Sequence, residues 1–467
     1  MTKSSMTKPV FATHFKWQEN RSVLVCLLIF IYVIKSTIDI SPWKQKPIIS
    51  QDVVSYYAYL PAVFIYHDLE FHYASRPGFK GTVWCLPTPT GKGILKMTMG
   101  TAVLYAPFFG VAHLYEKLSG GPADGYSISY HIALIWAGVC YFIVGILLLR
   151  KILVRYFSDW VVSALLISIS LGTNLYNYAS WDGAMSHVYS FFMFALAVWA
   201  FLRWLESSSF WNTIVLGFAL GMVVLIRPTN AALILFLSLY FWNRDLPMRA
   251  KWEQFVALKW KLLLLAFVSV LVCVPQLLYW KVFTGQYFFF SYQGERFFFD
   301  RPQIMSGLFS YHKGWFVYTP LMVLAGLGIF QMKGKLKEWR WPTVITMPLI
   351  IYVIFSWWCW WYGGGFSARA LVEYYVIMAF PLGAFYTFII DQNLIIRIAT
   401  TASVIFLIWL NIFQSEQYRS TLLHYDAMSK AAYWGIWGTQ RFPKDYDKLI
   451  VPLNAEKAKK GESAFPN

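Results

Sequence analysis

Charge is scarce in this sequence. Asp, Glu, Lys and Arg make up 13% of its 467 residues, about half the share of an ordinary soluble domain. Hydrophobic residues fill 58% of the chain and mean hydropathy is +0.48. A water-soluble core cannot hide that much apolar surface, so lipid is the expected solvent. Cysteine is scarce too. Cys26, Cys85, Cys140, Cys273 and Cys359 show no CxxC or other metal-ligand spacing, which excludes a disulfide framework and a zinc ribbon. No P-loop, GxSxG, HExxH or Rossmann signature occurs in its proper context, so ATP-driven transport and hydrolase chemistry lose their best support. There is no tandem repeat, low-complexity run or soluble-domain boundary.

Aromatic residues and long apolar runs are abundant. Phe, Trp and Tyr reach 20%, with 23 Trp and 30 Tyr. Trp and Tyr favour the membrane–water interface, where the ring is buried and its polar atom stays wet. A span needs roughly 20 apolar residues. About eleven segments qualify on that principle: 23–40, 128–149, 160–178, 185–202, 211–226, 229–243, 262–282, 306–330, 342–358, 373–390 and 394–414. The predicted class is therefore an all-α polytopic membrane protein. The first span carries Lys35 and Asp39 and lacks a small-residue cleavage site, so it reads as an anchor rather than a cleaved signal peptide.

Four basic clusters set the expected orientation: Lys3, Lys8, Lys16 and Arg21; Arg150, Lys151 and Arg155; Arg244, Arg249, Lys251, Lys259 and Lys261; and Lys333, Lys335, Lys337 and Arg340. Eleven crossings place all four on the cytoplasmic side. Counting 100–118 as a twelfth would break that agreement, so it is read as a helix on or partly in the outer face. The first outer loop then runs over 41–127, as short interfacial helices joined by Gly- and Pro-rich turns. A second large outer loop covers 283–305. The chain divides into a transmembrane domain, 1–414, and a short external tail, 415–467, expected to pack on the outer loops.

Formal net charge is +17. The positive-inside bias accounts for much of it, and a phosphate-bearing lipid ligand would use the rest. Nucleic acid is not an expected partner, because the charges are scattered between apolar spans. The unusual polar residues fall almost entirely on the outer side: Asp52, His67, Asp68, Lys92, Lys96, Asp182, His187, Arg227, Glu295, Arg296, His312, Lys313, Arg369 and Glu373. Ionisable groups at membrane depth are costly and usually line a wet cavity or pair with one another. Their one-sidedness predicts a single external site.

Asp52 stands out. It lies shortly after the first span and is followed by Tyr56-Tyr57-Ala58-Tyr59, read as an aromatic amphipathic helix that holds the acid against the membrane. A carboxylate there can act as general base toward an acceptor hydroxyl. Asp182, before His187, reads either as the cap of a turn or as a second acid facing the cavity. With Asp52 it is the candidate pair for a divalent ion, Mg or Mn. Arg227 precedes Pro228, which breaks a helix. It reads either as an interfacial arginine or as an anion site. Glu295 and Arg296 lie in the second outer loop, and Trp361 and Tyr362 lead into Gly363-Gly364-Gly365. Arg369 and Glu373, four apart, read either as a structural pair or with Arg369 on phosphate.

In order along the chain, six features resemble the GT-C membrane glycosyltransferases. They are Asp52 after span one; the first-loop stretch from Gly91-Lys92-Gly93 to Gly110; Arg150-Lys151 closing span two; Asp182 opening span four; the Arg227-Pro228 break; and the outer loop after span seven. The layout is most similar to the protein O-mannosyltransferase and lipid A aminoarabinose transferase branch. Where that family often carries an acidic pair in the first loop, this chain has Asp52 followed by Val53. The resemblance implies a GT-C-like fold. It implies transfer of a sugar from a polyprenyl-phosphate carrier to an envelope acceptor (glycan, lipid or protein) at the periplasmic face of a bacterial inner membrane. Asp52 matches the catalytic acid, Arg227 the basic residue near the carrier phosphate, and Lys92 the loop lysine. Tyr56, Tyr57, Lys92, Asp182, His187, Arg227, Glu295, Arg296, Trp361, Tyr362, Arg369 and Glu373 are the expected substrate-binding set. The alternative is a flippase for lipid-linked glycans, which would more naturally show two related halves; none is visible.

Overall fold

A computed structural model describes residues 20–465. Lys3, Lys8 and Lys16 of the first basic cluster lie outside the described residues. The protein is an all-α polytopic membrane protein: among the described residues six helices are long and apolar enough to cross a membrane. They are Ile128–Leu153, Ser186–Glu206, Lys259–Thr284, Leu394–Arg419, a first segment Arg21–Gln45 and a last inner one Arg369–Ile390. The remaining expected spans are shorter helices, Asp159–Leu171, Phe210–Ile226, Ala232–Asn243, Leu321–Gly328 and the Pro-containing Lys337–Phe355. The predicted span 306–330 is broken: Ile304–Phe309 and Trp315–Tyr318 are separate turns before Leu321–Gly328. Gly314 and Pro320 lie between these pieces, where a helix is readily interrupted. Lys313 thus sits in a turn rather than inside a span.

Burial separates inner from outer helices. Ser186–Glu206 and Tyr375–Ile390 bury most of their side chains. By contrast Lys259–Thr284 exposes Leu263, Phe267, Val270 and Leu271, and Leu394–Arg419 exposes Ile395, Ile398, Ile405 and Phe406. Apolar faces of that extent need lipid against them. Ser186–Glu206 packs on Ile128–Leu153 and on Phe210–Ile226, which in turn packs along Lys259–Thr284. Gly138 lets the turn before Ser186 come close: a Cβ there would sit 2.2 Å from the Gly183 carbonyl oxygen.

The first loop folds back on the bundle as Pro42–Gln45, Asp52–Tyr57 and Tyr59–Phe64, a two-stranded hairpin (Leu86–Pro87 with Gly93–Ile94) and the helix Gly100–Ser119. Gly100 meets the Leu225–Ile226 backbone so closely that a Cβ would lie 2.4 Å from the Ile226 nitrogen. The tail after Arg419 packs Leu422, Leu423, Met428 and Tyr433 against Tyr318 and Phe366.

Candidate active site

The loops at one end of the bundle enclose a cavity of about 360 Å³. Each charged group reaches it for a local reason. Asp52 opens a short helix directly after Gln51, which takes a positive φ of 49°. Arg227 is extended (φ −151°, ψ 118°) because Pro228 follows it. The proline also ends Phe210–Ile226, so the guanidinium emerges at the helix end. Arg369 starts a 3₁₀ turn, Arg369–Tyr374, after Ser367 at φ 59°.

Three cation–carboxylate contacts organise the polar wall. Arg369 Nη2 donates to Asp52 Oδ2 at 2.8 Å. Arg227 Nη1 donates to Glu373 Oε1 at 3.1 Å and lies 3.2 Å from His187 Nδ1, which is 3.4 Å from Glu373 Oε2. Lys96 Nζ donates to Glu295 Oε1 at 2.5 Å and lies 4.9 Å from the centre of the Tyr292 ring. The polar wall is therefore charge-balanced rather than simply basic. Asp52 keeps 29% of its side chain exposed, and its Oδ1 makes no hydrogen bond among the described residues.

Much of the remaining lining is aromatic: Trp280, Phe289, Phe290, Phe297, Trp357 and Trp358. Two lining residues carry a buried N–H without a partner among the described residues, Arg369 Nε and Trp358 Nε1. Burial pushes the Tyr56, Tyr292 and Tyr362 hydroxyls above their ordinary range, so all three are protonated donors at neutral pH.

Of the expected site residues, Asp52, Tyr56, His187, Arg227, Glu295, Tyr362 and Arg369 meet at this cavity. Glu373 stands behind it, fully buried, as the partner of Arg227. The other five expected residues are engaged elsewhere. Tyr57 is fully buried and donates to the Gly125 carbonyl. Lys92 pairs with Glu70 at 2.8 Å. Arg296 stacks 4.6 Å over Phe298. Trp361 packs edge-on to His312.

Asp182 is held by Lys46 and by Asn177 Nδ2 at 2.9 Å. Its partner cation is Lys46, whereas that of Asp52 is Arg369. Among the described residues no group of three or more His, Cys, Asp or Glu is arranged to hold a metal.

Two sequence readings change for clear physical reasons. Tyr56, Tyr57, Ala58 and Tyr59 are all buried in the protein, because the first loop folds over them; they do not form a membrane-facing amphipathic surface. Arg369 and Glu373 do not pair with each other. At about 3 residues per turn a 3₁₀ helix rotates i and i+4 onto different faces, so each finds a different partner. Lys96 was visible in the sequence as an outer-side polar residue, but nothing local distinguished it from Lys92. Tyr292 and the Phe289-Phe290 pair carried only their aromatic density.

No protein-family model matches the chain, and no curated protein matches it either. Among solved structures, the chain is similar to the archaeal oligosaccharyltransferase AglB from Archaeoglobus fulgidus, in complex with an inhibitory peptide and a dolichol-phosphate. The alignment covers 97% of this chain and 60% of that one, at 11% identity and a TM-score of 0.49. The present chain thus spans about 60% of the length of the structure it matches.

Proposed function

We propose that this protein is a membrane glycosyltransferase of the GT-C type. It moves a sugar from a polyprenyl-phosphate carrier to an envelope acceptor at the outer face of a bacterial inner membrane, with Asp52 as general base. The observation that carries this reading is the make-up of one cavity. A carboxylate with one unoccupied oxygen, paired with Arg369, shares its lining with Arg227, Lys96 and a set of Trp and Phe rings.

The chemistry follows from that placement. The acceptor hydroxyl gives its proton to Asp52 Oδ1. Its oxygen then bonds to the anomeric carbon while the bond from that carbon to the phosphate oxygen breaks, and the electron pair leaves with the polyprenyl phosphate. Arg227, Arg369 and Lys96 face the negative charge that develops there. Arg369 Nε and Trp358 Nε1 are buried donors without a partner among the described residues, and an acceptor oxygen that reached them would relieve that cost. Rings such as those of Trp357 and Trp358 suit the apolar faces of a pyranose or the first isoprenes of the carrier. The basic clusters at 150–155, 244–261 and 333–340, at the helix ends away from the cavity, support the orientation.

The deciding experiment is transfer from radiolabelled polyprenyl-phosphate sugars in proteoliposomes. Asp52→Asn should lower transfer by about 10²–10⁴-fold, the usual contribution of a positioned base, while the variant still binds polyprenyl phosphate. Full transfer by that variant would remove Asp52 from the mechanism. Movement of the lipid-linked sugar across the bilayer without a covalent product would make the protein a flippase.

A further inference from the structure

Lys313 lies in the turn between Ile304–Phe309 and Trp315–Tyr318 and is 2% exposed. It does not line the cavity. Its Nζ donates to two backbone carbonyls, those of Gly365 in the glycine loop and Tyr425 in the C-terminal tail. Burial lowers its pKa to about 7, an effect that Asp426 opposes. An ammonium is expensive to bury, so its retention against two carbonyls calls for a reason.

The glycine loop supplies one. Gly365 backs onto the stem of Arg369: a Cβ on Gly365 would lie 3.1 Å from Arg369 Cδ. The neighbouring Phe366 is gripped on both sides, its N–H donating to Tyr178 Oη at 3.1 Å and its carbonyl accepting from Asn174 Nδ2 at 3.1 Å. Arg369 N–H closes on the Ser367 carbonyl at 2.9 Å, and the side chain then reaches Asp52. Lys313 is thus the polar tie between loop and tail, beside the apolar packing of Phe366 on Leu422 and Leu423. Without it two carbonyl oxygens are left facing one buried space with no donor between them.

We propose that Lys313 is a positioning residue: it pins the loop that carries Arg369 to the C-terminal tail and so sets the Arg369–Asp52 pair from outside the cavity. The proposal rests on the catalytic reading of that pair. The tail, on this view, is part of the site's scaffold rather than an appendage.

The test uses the full chain in proteoliposomes, with radiolabelled polyprenyl-phosphate sugars for transfer and polyprenyl phosphate alone for binding. Lys313→Met should bind polyprenyl phosphate at the wild-type stoichiometry, which counts folded sites. Its kcat should fall about tenfold or more, with the donor KM within about twofold, as for a small displacement of a catalytic pair. Lys313→Gln, which keeps an N–H donor, should fall between Met and wild type. A Met variant with wild-type kcat, or a Gln variant no faster than Met, overturns the proposal. If the Met variant does not bind polyprenyl phosphate, Lys313→Gln decides: stoichiometric binding with a reduced kcat supports the role, and an unchanged kcat overturns it. Failure of the catalytic reading shows separately, as retained transfer in Asp52→Asn whatever the Lys313 variants do.

Discussion

The two ends of the helical bundle use charge differently. At the cavity end, Arg369, Arg227 and Lys96 each face a carboxylate, Asp52, Glu373 and Glu295. At the other end, Lys and Arg outnumber acids; Glu206 and Glu253 pair with Arg155 and Arg249 at the surface, and other acids accept from neutral donors. Glu338 accepts from Tyr240 Oη at 2.8 Å and from the Asp245 N–H at 3.0 Å. Arg150 Nε donates to Ser22 Oγ at 2.8 Å, and that hydroxyl donates to Asp159. The net charge of +17 therefore says little about the cavity. Most of its excess is carried by the basic loops of the opposite end, while the cavity holds cations pre-positioned by acids that neutralise them.

That contrast can be broken at several points besides Asp52. The next largest effect belongs to Arg227→Met. It leaves Glu373 and His187 buried without their cation, which should cost about 3–5 kcal/mol, read as thermal unfolding in detergent. Adding Glu373→Gln should recover much of the stability but not the transfer. Recovery of both would make Arg227 purely structural.

Trp358→Phe keeps an aromatic ring, smaller than the indole, and removes the unpartnered N–H. A neutral hydrogen bond is worth about 1 kcal/mol, so donor KM should rise roughly fivefold with kcat little changed. No change would mean that the indole N–H does not meet the donor.

The smallest effect should come from the opposite end. Glu338→Gln keeps an acceptor for Tyr240 and should shift stability by about 1 kcal/mol or less, leaving transfer untouched. A loss of transfer there would show that the two ends are coupled and the comparison is wrong.

Much of the architecture was legible along the chain because apolar run length is a local property. The segments expected to span at 128–149, 185–202, 262–282 and 394–414 appear as helices Ile128–Leu153, Ser186–Glu206, Lys259–Thr284 and Leu394–Arg419. The break before Pro228 was legible for the same reason, since proline acts on its own neighbours. The stretch 306–330 was less so: its composition is largely apolar, but Gly314 and Pro320 divide it into turns and one short helix.

The site was readable as an inventory and not as a set of partners. Asp52, Arg227 and Arg369 were singled out by residue type and position. Their contacts join residues 317 and 146 positions apart, and no sequence spacing encodes those. Lys92 and Lys96 have the same chemistry and differ by one turn of chain. Only the hairpin Leu86–Pro87/Gly93–Ile94 and the loop after Thr284 decide that Lys96 meets Glu295 at the cavity while Lys92 turns away to Glu70.

By itself the sequence determined the solvent, the helical class and which polar residues were too costly at membrane depth to be incidental. Those are sums over local composition. The tertiary structure alone decided which cation answers which carboxylate, that Asp182 and Asp52 take different partners, and that Lys313 ties loop to tail. Each of those depends on where distant backbone segments converge, and convergence is a property of packing.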